Sequence, residues 1–330
     1  ASQSNNPLFQ STVAYTAPRL DQISGKLVAG SSLGTTGGGT VMVLTGANFG
    51  PDGAADVGAS YGTYNADLCT VTSQTKIECT TVAGVGANLQ WSIIVGGQSA
   101  GPLASPTSYA APVISSNVGD VAVTGSDTSI NTSGGISTVD IEGSNFGPLD
   151  TAVTATYGGT NGLKYGSGGS ITCSVQTADT KLRCQTVAGV GANHGWIVTV
   201  GTQTSGIKSS VTISYTAPRL DQISGKLVAG SSLGTTGGGT VMVLTGANFG
   251  PDGAADVGAS YGTYNADLCT VTSQTKIECT TVAGVGANLQ WSIIVGGQSA
   301  GPLASPTSYA APVISSAAVN GGGTLSTSGT

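Results

Sequence analysis

Thr40-Val41-Met42-Val43-Leu44-Thr45-Gly46-Ala47-Asn48-Phe49-Gly50-Pro51 is the stretch that decides the fold. A strand shows alternate residues to opposite faces. Here Met42 and Leu44 fall on one face, and Val41, Val43 and Thr45 on the other. The run closes in an Asn-Phe-Gly-Pro turn. It recurs at residues 240–251 and, diverged, at 137–148. Aligning Asn145 with Asn48 sets Val139 and Ile141 beside Met42 and Leu44, and these should point inward. Thr138, Asp140 and Glu142 match Val41, Val43 and Thr45, and these should point outward.

Working outward, residues 15–116 return unchanged as 215–316. Each turn is followed by a Cys pair, a Val-Ala-Gly-Val-Gly-Ala-Asn segment, one Trp (Trp91, Trp196, Trp291) and a Tyr-x-Ala-Pro end. A repeat at fixed period names an architecture before any single residue does. Each unit is about 100 residues, the size of a β-sandwich. The expected division is 1–16, the end of a preceding unit; 17–110, repeat A; 111–216, repeat B with a longer loop; 217–310, repeat A again; and 311–330, the start of another.

Within repeat A, a strand is expected over 19–28 and a loop over 34–39. Val57, Ala59 and Tyr61 should face inward, as should Trp91, Ile93 and Val95, and a last strand should run up to Tyr109. Some seven short strands with turn signals between them, and nothing helical, make an all-β, immunoglobulin-like sandwich. The Pro-stiffened joints between units predict a semi-rigid rod.

Only 8% of residues are charged, while 39% are hydrophobic and alternate, so the chain reads as folded rather than disordered. Net charge is −6, and the ten Lys and Arg are scattered. Phosphate binding needs clustered cations, so neither nucleic acid nor an anionic membrane is an expected partner. Six cysteines fall as Cys69/Cys79, Cys173/Cys184 and Cys269/Cys279. A thiolate zinc site needs four ligands, so one disulfide per unit is expected, and with it an oxidising, extracellular setting.

Repeats of Gly-Val-Gly at 84–86, 189–191 and 284–286 lack the Lys-Ser/Thr and helix of a phosphate loop and read as turns. The single His194 is expected on the solvent side of a loop; one His cannot serve a triad in three units. Asp52, Asp56 and Asp67 lack the Asp-x-Asp spacing of a calcium loop. No enzyme, catalytic residue, metal or cofactor is expected. Asn131-Thr132-Ser133 is an N-glycosylation sequon. Asn48 and Phe49 read as a turn residue and a plug for the sandwich end.

The pattern Gly37-Gly-Gly-Thr-Val-Met-Val-Leu-Thr-Gly46-Ala-Asn-Phe-Gly50, then the spaced Cys pair, then Val-x-Gly-x-Gly and a Trp-led strand, resembles the IPT/TIG domain. The resemblance covers practically the whole chain. It is similar in flavour to tandem arrays in giant surface proteins of protists and algae and to fibrocystin-like and plexin ectodomains. It implies an early-set immunoglobulin-like sandwich that serves as spacer, adhesion or interaction module, and it brings no catalytic residues.

The expected function is therefore structural: an extracellular or cell-surface filament or appendage, such as a ciliary hair, built by self-association. The alternative is the stalk of an adhesion or receptor ectodomain. The expected partner is the chain itself or its neighbours, with glycans or other surface proteins beside it. Candidate contacts are the outward Val41, Val43 and Ile94, against the plainer reading that a loop of the same domain covers them. Lys164 and Tyr165, at the tip of the insertion at 158–170, are also candidates, against the reading that the loop is simply tolerated.

Overall fold

The computed structural model describes residues 14–25, 33–118, 129–135, 137–159, 164–166, 171–208, 210–225 and 233–316, and no helix occurs among them. The first repeat runs β1 (Arg19–Gly25), β2 (Val41–Ala47), β3 (Val57–Tyr61), β4 (Tyr64–Asn65), β5 (Asp67–Ser73), β6 (Lys76–Thr80), β7 (Trp91–Val95) and β8 (Gln98–Ala100). These form two four-stranded antiparallel sheets, ordered β1-β2-β6-β5 and β4-β3-β7-β8. The inward residues of both sheets meet in one core, in which Met42, Leu44, Phe49, Tyr61, Ile77 and Trp91 are all but inaccessible. The alternation in Val41–Ala47 thus became a half-buried strand.

The middle repeat runs β9 (Val113–Val118), β10 (Ser129–Ile130), β11 (Thr138–Ser144), β12 (Val153–Gly158), β13 (Lys164–Tyr165), β14 (Ile171–Thr177), β15 (Lys181–Gln185), β16 (His194–Val200), β17 (Gln203–Thr204) and β18 (Thr212–Tyr215). Its strands join in a single path, β10-β18-β16-β12-β14-β15-β11-β9, because β12 pairs with β14 through Val153↔Cys173 and Ala155↔Ile171. In the first repeat the corresponding β3 and β5 form no ladder. There β5 bulges between Asp67 and Thr70, with Leu68 at φ 50° and 81% exposed. A bulge turns the strand away from its would-be neighbour. The third repeat, from β19 (Arg219–Gly225) to β26 (Gln298–Ala300), repeats the first in register.

Three details differ from expectation. The strand at 19–28 is observed as Arg19–Gly25, and 26–28 lie outside the described residues. No strand reaches Tyr109 in the first repeat; a lone bridge, Leu89↔Thr107, stands in its place. Pro102 and Pro106 lack the N–H that a ladder needs, whereas the middle repeat has neither and forms β18. Asp140, expected to face outward, is only 4% exposed. Arg183 holds it bidentately at 2.7 and 2.9 Å, and Lys181 approaches to 2.9 Å, so the basic side chains of β15 cover it. That pairing holds the Asp140 carboxyl below the usual carboxylate range, the Arg183 hydrogen bonds contributing most.

Candidate functional site: the joints between repeats

Cys69–Cys79, Cys173–Cys184 and Cys269–Cys279 are disulfides, each stapling neighbouring strands of one sheet. Asn131 is exposed; its Oδ1 accepts from the Ser133 N–H at 2.8 Å and hydroxyl at 2.7 Å. Val41 is 51% exposed and Val43 half-buried on the outer face of the β1-β2-β6-β5 sheet. Ile94 is 50% exposed on the outer face of the other sheet. The three therefore do not share a patch. Among the described residues, no three of His, Cys, Asp and Glu gather as metal ligands would.

Lys164 and Tyr165 are not a loop tip. They pair with Gly158 and Tyr157 as a short hairpin strand. Lys164 is exposed, but the Tyr165 ring turns inward, stacking edge-on against His194 and Tyr215. Its hydroxyl accepts from the Val190 N–H at 2.9 Å and donates to the Val190 carbonyl at 2.6 Å. Tyr64 and Tyr264 clamp Val85 and Val285 in the same way. Behind them, Tyr61 and Tyr109 hydroxyls lie 2.9 Å apart; Tyr61 accepts from the Val82 N–H at 2.9 Å, and Tyr109 donates to the Val82 carbonyl at 2.7 Å. Burial pushes the Tyr109 and Tyr215 phenols upward, keeping them protonated donors. Four backbone bonds thus fix the Gly-rich loop and present its central valine.

That valine enters the next repeat. Val85 packs against the core of the middle repeat, and Val190 belongs to the core of the third, 3% exposed. The receiving surface is made of glycines. A Cβ on Gly147 would lie 2.5 Å from Val85, and one on Gly296 would lie 2.8 Å from Val190. Around the valine, corresponding polar contacts recur with one partner exchanged. Thr36 bonds the Asp179 carboxylate and accepts from the Gly147 N–H at 3.2 Å. At the next joint Thr132 donates to Gln274 Oε1 at 2.6 Å. Gln203 donates to the Tyr109 carbonyl at 3.0 Å, and Gln298 to the Tyr215 carbonyl at 3.2 Å. Asn145 and Asn248, both at positive φ, donate to the Ala111 and Ala217 carbonyls in the connecting segments at 2.9 and 3.0 Å.

The sequence shows the joint only in part. The Asn-Phe-Gly turn is local structure, as expected, since Phe49 plugs the core and Asn48 sits at φ 63°. Its second task, holding the linker, depends on contacts between distant residues. The signal in the sequence is the valine between glycines: an apolar side chain in a loop needs something to cover it. His194 also differs from expectation. It lies on β16, fully buried, with Nε2 3.0 Å from the Val190 carbonyl, and burial holds its pKa down.

Residues 31–109 and 231–309 each match the family model of the IPT/TIG domain. No curated protein matches the chain. Among solved structures, a plexin A4 extracellular region is 15% identical over 88% of this chain, with a TM-score of 0.26, and the chain spans 25% of it. The Escherichia coli adhesin FdeC is 16% identical over 90% of this chain and 100% of its own, with a TM-score of 0.25. A surface glycan-binding protein from Prevotella bryantii is 13% identical over 77% of this chain and 57% of its own, with a TM-score of 0.36. Residues 31–109 and 231–309 are IPT/TIG domains, set in tandem with a third sandwich between them.

Proposed function

We propose that this is a non-catalytic extracellular structural protein whose tandem sandwiches build a filament or cell-surface appendage, such as a ciliary hair, by self-association. The observation that carries the reading is the uniformity of the joint. The valine, the glycines that receive it, and the Thr and Gln contacts recur from first to second and from second to third repeat. A joint made the same way each time suits an object that extends by repetition. Three disulfides support an oxidising, extracellular setting. Val41 and Val43 on one outer face, and Ile94 on the other, are the proposed lateral contacts, with a glycan at Asn131 beside the second joint.

Negative-stain electron microscopy of the native material tests this. Filaments with an axial repeat of one or two units are expected. Isolated strings ending in a distinct head would overturn it in favour of an adhesion stalk. Val43→Asp, on an outer face, is expected to leave the fold intact and weaken lateral assembly. Unchanged assembly would remove Val43 from the contact.

A further inference from the structure

Four residues after each plug the repeats diverge: Leu89 follows Val85, and His194 follows Val190. The His194 ring is fully buried, with Nε2 3.0 Å from the Val190 carbonyl. A carbonyl only accepts, so Nε2 carries the proton and the neutral ring leaves Nδ1 with a bare lone pair. Nδ1 has no partner among the described residues. The same loop also meets the third repeat. A Cβ on Gly191 would lie 3.1 Å from His194 Nε2 and 2.9 Å from the Gly296 carbonyl oxygen. The imidazole therefore touches the loop where the loop touches its neighbour.

We propose that His194 makes the joint between the second and third repeats acid-labile: a second proton on its ring releases the Val190 plug, while the Val85 joint, with Leu89 in that place, does not open in acid. The second proton sits on Nδ1, buried and without an acceptor. The groups facing the ring are the phenols of Tyr157 on β12, Tyr165 on β13 and Tyr215 on β18, with ring centroids 6.1, 5.2 and 5.6 Å away. Burial raises all three above the ordinary phenol range, so none is an anion that balances the charge. Across the joint, Gly250 and Gly296 face Val190. The Asp256 carbonyl accepts the Gly296 N–H at 2.9 Å, and the Asp256 side chain is exposed. The imidazolium must therefore reach water. The loop side is held by one valine and a few hydrogen bonds, whereas the sandwich has its own core and disulfide, so the joint yields first. Burial holds the His194 pKa down, so the docked joint binds fewer protons than the open one. Opening is favoured as pH falls through the ordinary 6.5. The device serves a filament and a stalk alike, and stands without the filament reading.

The test is nuclear magnetic resonance of the whole chain between about pH 7 and pH 5. As the chain's single histidine, His194 reports its own titration without overlap. Overhauser contacts of the Val190 methyls with Gly296, and of the Val85 methyls with Gly147, report the two joints. The Val190 contact is expected to fade as the ring gains its proton, the open fraction rising by up to about tenfold per pH unit. The Val85 contact and the Trp196–Tyr157 contact inside the middle core are expected to persist. Two variants are run beside it: His194→Leu, the residue the first repeat already uses, and His194→Gln, neutral and still able to donate to the Val190 carbonyl. Each is expected to hold the Val190 contact at the acid end. A ring still neutral there, a Val190 contact that outlasts protonation, one lost together with the Trp196–Tyr157 contact, or one lost equally in the His194→Gln chain would each overturn the proposal.

Discussion

His194 occupies the place that Leu89 and Leu289 hold in the flanking repeats, and the exchange propagates. In the first repeat Leu89 pairs with Thr107, whose hydroxyl accepts the Trp91 indole N–H at 2.8 Å. In the middle repeat His194 pairs with Ile213, and the Trp196 N–H and His194 Nδ1 find no partner among the described residues. Burial lowers the His194 pKa from its ordinary 6.5, so the folded state binds fewer protons than the unfolded state. Its contribution is therefore present above the unfolded value and is lost as pH falls through that value toward the folded one. The middle repeat should lose up to about 1.4 kcal/mol per pH unit on acidification from pH 7 to 5. His194→Leu should flatten that slope, measured by urea unfolding followed through tryptophan fluorescence.

Among the elements, two devices set the stability of each sandwich. The disulfide joins strands that already pair, as at Cys173↔Cys184, and closes a loop with a sequence separation of 11. Replacing both cysteines by Ala should cost the middle repeat about 3 kcal/mol on the chain-entropy account, read as a lowered denaturation midpoint with the sheet retained by circular dichroism. The tyrosine clamp is the second device. Tyr64→Phe leaves the Val85 N–H and carbonyl without their partner, and should cost about 1–3 kcal/mol. Amide hydrogen exchange at Val85 checks it, and protection equal to wild type would show that the loop holds itself.

For the whole molecule, the joints decide how one sandwich meets the next, and the two kinds differ in one group. The first-to-second joint presents the carboxylate of Asp179 to Thr36, where the second-to-third presents the neutral Gln274 to Thr132. Burial raises the Asp179 pKa above its ordinary 3.8. A raised acid favours the docked state fully below the unfolded value, and that contribution is lost as pH rises through the folded value. Protection of the Gly147 amide, which Thr36 accepts, should therefore fall as pH rises from about 4 to neutrality after correction for intrinsic exchange. Asp179→Asn should remove the trend, and an unaltered trend would exclude Asp179 as its source.

By itself the sequence determined the sandwich, the alternation of most of its strands and its staples. Alternation of Met42 and Leu44 with Val41 and Val43 is a local property, and so are the spacing of Cys69 and Cys79 and the positive φ of Asn48. Tertiary structure alone decided what lies far apart along the chain. It covered Asp140 with Arg183, turned Tyr165 inward onto Val190, and put Ile94 on the sheet opposite Val41. It also made Val85 a plug rather than part of a turn, because the glycines that receive it belong to another domain. Residue type reports what a side chain needs, while only the folded neighbours determine what supplies it.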